Sequence, residues 1–129
     1  MHNAQLWMGM KAENENPIVY KSKGFALDII RLYQTLVKDQ HEFILSKQLL
    51  RSGTSIGANI KEAIRAQSKA DFISKMSISL KEASESEYWL ELMVESKFIS
   101  ENSFKSLINQ CRELIRMLTA IINRAKCNQ

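Results

Sequence analysis

The chain has 129 residues, of which 45% are hydrophobic and 25% are charged, with one proline, four glycines and a net charge of +4. This length fits one domain that buries roughly two-thirds of its unfolded surface, and the composition is that of a globular chain rather than a disordered one. The moderate basic excess permits contact with nucleic acid or an anionic surface without requiring it.

The cysteines and the apolar segments indicate the compartment. Cys111 and Cys127 stand alone without the spacing of metal ligands, which fits a reducing environment. The first residues lack the basic start and apolar run of a cleavable signal, and no segment approaches the ~20 apolar residues of a membrane span. The sequence therefore predicts a cytoplasmic protein that does not contact a membrane.

The chain divides into a polar start and a long helical region. Residues 1–16 are aperiodic and are expected to form a flexible tail, whereas residues 17–127 follow helical patterns. Asn16 and Pro17 are residue types found at a helix cap and in the first turn. The first predicted helix begins at 18 or 21 and ends at Asp39. Its apolar face consists of Phe25, Ile29, Leu32 and Leu36.

The second predicted helix, from about Glu42 to Gln67, contains residues that disfavour a helix. Gly53 and Gly57 each cost about 1 kcal/mol relative to alanine, and neighbouring serines compete for backbone hydrogen bonds. The apolar positions nevertheless keep helical spacing, so we expect this helix to pack closely against a neighbour. Those positions are Leu45, Leu49, Ile56, Ile60 and Ala63.

Two further helices complete the predicted fold. Ser68 and Asp71 indicate the start of the third helix, which continues to about Ser96, and the fourth begins at 100–103. No segment alternates with period two, and short connections make neighbouring helices antiparallel. The sequence therefore predicts an all-α, antiparallel up-down-up-down four-helix bundle. The core positions are Phe72, Met76, Leu80, Ala83, Leu90 and Val94 in the third helix, and Phe104, Ile108, Cys111, Ile115, Leu118 and Ile122 in the fourth.

The outer face of the second helix is basic over an arc of about 80°. A solvated charged face is the more common explanation of such a pattern. The alternative is a surface that contacts an anion or a partner. The arc consists of Lys47, Arg51, Lys61, Arg65 and Lys69.

The third helix has a second apolar face, which a monomeric bundle does not need. Carboxylates flank this face, so it could dock on the basic arc of a neighbouring subunit. Such a contact is heterologous and closes into a ring or continues as a filament. The alternative is that the N-terminal tail or the end of the first helix covers Trp89. The predicted oligomer interface consists of Arg51, Ile78, Glu82, Glu85, Trp89 and Leu92.

Several polar residues lie at the edge of the predicted core. A buried carboxylate at Glu87 would need a partner. Arg51 is the candidate, because a modest rotation of its helix would bring it within reach. We expect a structural polar network there, formed by Ser55, Asn59, Glu62 and Glu87.

No pattern in the sequence predicts catalysis. His2 and His41 are the only histidines, and neither has a cysteine, serine or aspartate at a spacing that supports nucleophilic chemistry. The sequence lacks the inward Glu-x-x-His pairs that bind iron in di-iron bundles. It also lacks the glycine-rich loop that binds phosphate groups. We therefore expect a non-enzymatic protein with no catalytic residue, cofactor or metal.

The second and third helices also carry a family resemblance. The pattern Arg51-x-x-x-Ser-Ile-x-x-Asn-Ile-x-Glu62, followed by Phe72 and the run 80–90, resembles the bacterial four-helix-bundle family encoded in intervening sequences of 23S rRNA genes. The resemblance covers the chain from Pro17 onward. It implies a homopentameric ring with basic surfaces. The related accessory proteins of diversity-generating retroelements bind RNA and a reverse transcriptase, which implies those partners more weakly.

RNA binding is the first function expected on these grounds. Five copies at +4 would carry about +20, a strong attraction for polyanions. Part of the basic cluster on the fourth helix also complements the helix dipole, and that helix becomes the better candidate if subunit contacts occupy the second. The alternative function is a protein-binding scaffold. The candidate RNA-binding residues are Lys47, Lys61, Arg65, Lys69, Lys105, Arg112, Arg116 and Arg124.

Overall fold

The computed structural model describes residues 16–127, which form four helices and no strand. The helices are α1 (Pro17–Gln40), α2 (Leu45–Ile64), α3 (Lys69–Glu95) and α4 (Glu101–Cys127). The all-helical prediction is confirmed for this range, where no helix has the length and apolar character to cross a membrane. The flexible tail predicted over 1–16 lies outside the described residues, apart from Asn16.

Polar side chains determine where the helices begin. Asn16 Oδ1 accepts a hydrogen bond from the Ile18 N–H at 3.1 Å, so the predicted cap of α1 is confirmed. The Ser68 hydroxyl likewise accepts from the Asp71 N–H at 3.0 Å at the start of α3. Each cap satisfies an N–H group that has no partner within its helix.

Helix α2 begins three residues after the predicted position. The Glu42 carboxylate accepts hydrogen bonds from the N–H groups of Ile44, Leu45 and Ser46 at 3.2, 3.1 and 2.6 Å. Glu42 thus precedes the helix, and its side chain accepts the hydrogen bonds of N–H groups at the helix start. Burial opposes ionisation of this carboxylate, but the three backbone hydrogen bonds prevail and lower its pKa.

All four helices contribute to one hydrophobic core. Phe25, Phe72, Met76 and Leu90 are fully buried, in agreement with the predicted faces. Six of the predicted core residues are only partly buried at its margin: Leu32, Leu45, Leu80, Val94, Phe104 and Ile115.

Glycines allow α1 to approach α2 closely. A Cβ atom on Gly53 would lie 3.1 Å from both Cγ atoms of Ile29, and one on Gly57 would lie 3.3 Å from Ser22 Oγ. Contacts this short leave little room for a side chain. The prediction that the glycine-containing helix packs closely against a neighbour is confirmed, and the neighbour on this side is α1.

Serines form the opposite contact, between α2 and α3. The Ser52 and Ser86 hydroxyls are 2.8 Å apart, and the Ser79 hydroxyl donates to the Ile56 carbonyl oxygen at 2.8 Å. All three serines are fully buried. Small hydroxyl side chains therefore bring these helices together while every buried hydroxyl keeps a partner.

Helix α4 lies against both α3 and α1. The Cys111 thiol donates to the Ala83 carbonyl oxygen at 3.1 Å, and Lys21 Nζ pairs with Glu113 Oε2 at 2.7 Å. Ser22 lies beside Gly57 and Ile29 beside Gly53, while Ser79 contacts Ile56 and Ser86 contacts Ser52. The beginning of α1 therefore lies near the later part of α2 and the middle of α4.

Candidate nucleic-acid interface

A cut across the four helices divides the charges into two halves. The first, here called the basic half, contains residues 17–28, 55–82 and 115–127. It has ten lysines and arginines against four acidic residues, which leaves +6. The second, called the mixed half, contains residues 29–54 and 83–114. It has seven cations against eight acids, which leaves −1.

Some cations of the basic half have no partner in the described part of the chain. Within residues 16–127, the side chains of four of them have neither an ion pair nor a hydrogen bond: Lys23, Arg65, Lys81 and Arg116. Two others do form ion pairs, Lys21 with Glu113 and Lys75 with Glu62. The basic half can therefore offer several cations to phosphate groups without first breaking an ion pair.

A groove of about 410 Å³ opens between α1 and α2 in the basic half. Small and apolar side chains form most of its surface, including those of Ala26 and Ala58, with Gly57 between the helices. Tyr20, whose side chain is 51% exposed, lines it together with Lys23 and Lys61. Among residues 16–127, no acidic side chain lines this groove.

The structure divides the predicted RNA-binding residues between the halves. Lys61, Arg65, Lys69, Arg116 and Arg124 belong to the basic half, whereas Lys47, Lys105 and Arg112 belong to the mixed half.

Arg112 differs from the other predicted RNA-binding residues because carboxylates on α3 occupy it. Its Nε lies 2.8 Å from Glu87 Oε2 and its Nη2 lies 3.8 Å from Glu91 Oε2. The hydrogen bond to Glu87 raises the pKa of Arg112. An RNA phosphate would have to compete with these two carboxylates for the guanidinium group.

Residues predicted to lie between subunits form a cluster within one chain. Arg51 on α2 contacts both Glu82 and Glu85 on α3, and the Trp89 indole N–H donates to Glu85 Oε2 at 2.9 Å. The hydrogen bond from Trp89 and the contact with Arg51 lower the pKa of Glu85, against the effect of burial. The basic arc therefore meets these carboxylates inside the subunit, because α2 and α3 are neighbours. Assignment of the cluster, Ile78 and Leu92 to an oligomer interface stays a prediction.

The polar network predicted around Glu87 does not form. Glu87 faces α4 and pairs with Arg112, whereas Arg51 lies on the flank of α3 that faces α2. Glu87 is only partly buried, so it does not need the partner that the sequence analysis assigned to it.

The other three members of the predicted network have separate partners. The Ser55 hydroxyl donates to the Arg51 carbonyl oxygen, and the Asn59 amide donates to the Ser55 carbonyl oxygen within α2. Glu62 is exposed and pairs with Lys75 at 3.3 Å. The buried polar side chains are serines, which the sequence analysis did not select.

Three residues of the basic half escaped the sequence analysis: Tyr20, Lys23 and Lys81. Periodicity describes one helix face at a time, and neither lysine belongs to a basic run on its own helix. The two lysines become recognisable as part of a basic surface only when charges are summed over the segments of different helices that lie together in the fold.

The described residues contain no cluster of three or more histidine, cysteine, aspartate or glutamate side chains that could hold a metal ion. Cys111 is buried, and this burial raises the pKa of its thiol to about 12. What the geometry provides is a surface of cations beside an apolar groove, suited to contact with phosphate groups.

Comparison with known proteins identifies relatives of this chain. The sequence profile of the 23S rRNA-intervening sequence proteins matches residues 14–120. The chain is similar to the crystal structure of a protein of unknown function from the S23 ribosomal protein family of Bacteroides thetaiotaomicron. The two are 52% identical with a TM-score of 0.81, over 82% of this chain and 95% of that one. The search of curated proteins finds no match.

Proposed function

The chain belongs to the family of 23S rRNA-intervening sequence proteins, and from this premise we propose that it is a non-enzymatic homo-oligomer that binds structured RNA through its basic half. Each subunit in this proposal is an antiparallel four-helix bundle, in keeping with the contacts between neighbouring helices. The protein acts in the cytoplasm and needs no cofactor. The observation that carries the proposal is the concentration of +6 in one half, with several cations unpaired.

Binding in this proposal is led by phosphate contacts. Lysine and arginine side chains that neutralise phosphates release condensed counterions, so affinity falls steeply with salt. Phosphate contacts position an RNA but carry no sequence information, and we expect recognition of shape rather than of a sequence. Assembly multiplies the effect, because a pentamer would present the basic half five times.

The oligomer forms through the outer face of α3. Ile78 is 38% exposed and Tyr88 is 53% exposed, while Trp89 and Leu92 are half-buried beside them. This apolar band adjoins the cluster of Arg51 with Glu82 and Glu85, so one surface combines apolar area with charge. The resemblance to pentameric family members favours a ring of five.

Mass in solution tests assembly. Light scattering on protein freed of nucleic acid is expected to give a pentamer, and Trp89→Ala is expected to give a smaller, still helical particle. Tyr20→Ala is the matched control, because it removes a half-exposed aromatic from α1, outside the proposed interface. A monomeric wild-type protein, or an unchanged mass for the Trp89 variant, would contradict the proposed interface.

Fluorescence anisotropy with a labelled blunt RNA duplex tests RNA binding. The expected result is binding whose log K falls linearly as log salt rises. A protein that assembles but binds no duplex at low salt would overturn the RNA proposal.

A protein-binding scaffold is the second candidate function, with a reverse transcriptase as the type of partner that the resemblance implies. The observation in its favour is the connection between α1 and α2, where Phe43 is 54% exposed and Ile44 is 75% exposed. Neighbouring exposed apolar side chains of this size are typical of protein contacts. Assembly without RNA binding would favour this candidate.

A further inference from the structure

The groove between α1 and α2 suits a specific part of an RNA. We propose that it binds one unpaired nucleotide, with the base stacked on Tyr20 and the phosphate groups beside Lys23 and Lys61. This inference rests on the proposed RNA-binding function and adds a subsite to it. The groove volume of about 410 Å³ falls in the range of roughly 300–1,000 Å³ that is usual for small-ligand sites.

Charge favours a nucleotide over an apolar peptide as the occupant. Lys23 and Lys61 lie on opposite helices and both line the groove, with no carboxylate among the described lining residues. The Lys23 side chain has no ion pair or hydrogen bond within residues 16–127. An apolar helix or strand laid in the groove would leave the Lys23 ammonium group without a counter-charge, whereas a nucleotide supplies one.

The shape of the groove favours a flat base. Tyr20 is half-exposed and supplies an aromatic face, and Ala26 and Ala58 keep the walls low on both helices. Gly57 adds no side chain between them. Stacking on an exposed aromatic beside backbone-tracking cations is the usual recognition mode for unpaired nucleotides.

The hydroxyl groups of the groove are already occupied. The Ser22 hydroxyl donates to the Val19 carbonyl oxygen, and the Thr54 hydroxyl donates to the Leu50 carbonyl oxygen. Few polar groups therefore remain to read the edges of a base. The subsite accepts any of the four bases, and what it distinguishes is an unpaired nucleotide from a paired one.

Two RNA probes separate this subsite from general RNA binding. One is a labelled blunt duplex, and the other is the same duplex with an unpaired 3′ adenosine extension. Wild-type protein is expected to bind the extended duplex about tenfold more tightly, since stacking one base is worth about 1–3 kcal/mol. Tyr20→Ala is expected to remove this gain while its affinity for the blunt duplex stays unchanged.

Matched variants complete the test. Tyr33→Ala removes a partly exposed tyrosine from another part of α1 and is expected to keep the gain. Ala58→Glu places a carboxylate in the groove and is expected to abolish it, while Ala120→Glu makes the same charge change at an exposed site on α4 and retains it. Circular dichroism verifies that all four variants are folded.

The outcomes distinguish the two proposals. Duplex binding without any gain from the extension, or an equal loss in Tyr20→Ala and Tyr33→Ala, overturns the subsite and leaves RNA binding in place. A wild-type protein that binds neither probe overturns both. If Ala58→Glu changes the oligomer mass, a second copy of the chain occupies the groove and the subsite assignment is wrong.

Discussion

The arginines of the two halves differ in what they contact. In the mixed half, Arg31, Arg51 and Arg112 each form an ion pair with a carboxylate of the same chain. In the basic half, two of the three arginines, Arg65 and Arg116, have no such partner among residues 16–127. A guanidinium group held by carboxylates positions helices, whereas one without them can bind an incoming anion. The comparison shows that pairing, as well as net charge, separates a structural cation from a candidate binding cation.

The largest expected effect comes from removing unpaired cations of the basic half. We expect the triple variant of Lys23, Arg65 and Arg116 to glutamine to lower affinity for a blunt RNA duplex on the order of a hundredfold at low salt. The slope of log K against log salt should fall by about three, one for each lost phosphate contact. Anisotropy titrations over a salt series measure both quantities.

The matched control for this variant removes three exposed lysines from the mixed half. Lys38, Lys47 and Lys105 changed to glutamine alter the net charge by the same amount. If the control loses as much affinity as the basic-half variant, RNA binding follows total charge and the division into halves has no functional meaning.

Packing between α1 and α2 differs between the halves as well. Gly53, in the mixed half, would place a Cβ 3.1 Å from the buried, β-branched Ile29 side chain, which has little freedom to move. We expect Gly53→Ala to lower the free energy of unfolding by about 1 kcal/mol, because an overpacking cost of about 1–3 kcal/mol exceeds the gain in helix propensity.

Gly57 provides the comparison in the basic half. Its Cβ would meet the small Ser22 hydroxyl at 3.3 Å beside an open groove. We expect Gly57→Ala to change the free energy of unfolding by only a few tenths of a kcal/mol, since propensity offsets the contact. Urea unfolding measures both variants, and equal destabilisation would show that the α1–α2 contact is uniform along its length.

We expect the loss of folding stability at low pH to arise from carboxylates of the mixed half. Glu42 and Glu85 have pKa values below the ordinary value of 4.5 in the folded state. Their stabilisation is complete above the pKa of the unfolded chain and is lost as the pH falls through the lower folded pKa. The free energy of unfolding should therefore decline as the pH is lowered from about 5 toward 3.

Glu42→Gln isolates one of these contributions. We expect it to reduce the free energy of unfolding by about 1 kcal/mol at pH 7, as loss of a helix cap does, and by much less at pH 3. Glu95→Gln, at an exposed position in the same half, is the control. A deficit that stays constant between the two pH values would contradict the ionised-cap explanation.

The smallest effect is expected at Arg112. Because Glu87 and Glu91 occupy its guanidinium group, Arg112→Gln should change RNA affinity by less than about twofold, with a slight fall in melting temperature. Arg116→Gln, one turn further along α4, should weaken RNA binding and leave the melting temperature unchanged. The reverse pattern would mean that RNA displaces the carboxylates from Arg112.

Local patterns predicted the helices well and their neighbours less well. Helical spacing identified the buried faces of Phe25, Met76 and Leu118, and the caps at Asn16 and Ser68 followed from residue type. Each of these features depends on residues within a few positions of one another. Periodicity and capping chemistry report such short-range relations directly.

The errors arose where the answer depended on another helix. The predicted pairing of Glu87 with Arg51 is wrong because a helical wheel shows the core side of α3 without showing which flank faces α2 and which faces α4. The start of α2 was misplaced because the Glu42 side chain bonds the first N–H groups from outside the helix. The basic half was missed because its charges come from separate segments, and only the packing of α1 to α4 unites them.

The buried thiol of Cys111 makes the chain convenient for spectroscopic labelling. Cys111 and Cys127 are the only cysteines of the sequence, and Cys127 is exposed at the end of α4. Maleimides react with thiolates, which Cys111 cannot form near neutral pH while it is enclosed in the core. A single dye or spin label per subunit would thus attach at Cys127 in the wild-type sequence. Distances between such labels would report the arrangement of copies in solution without any substitution.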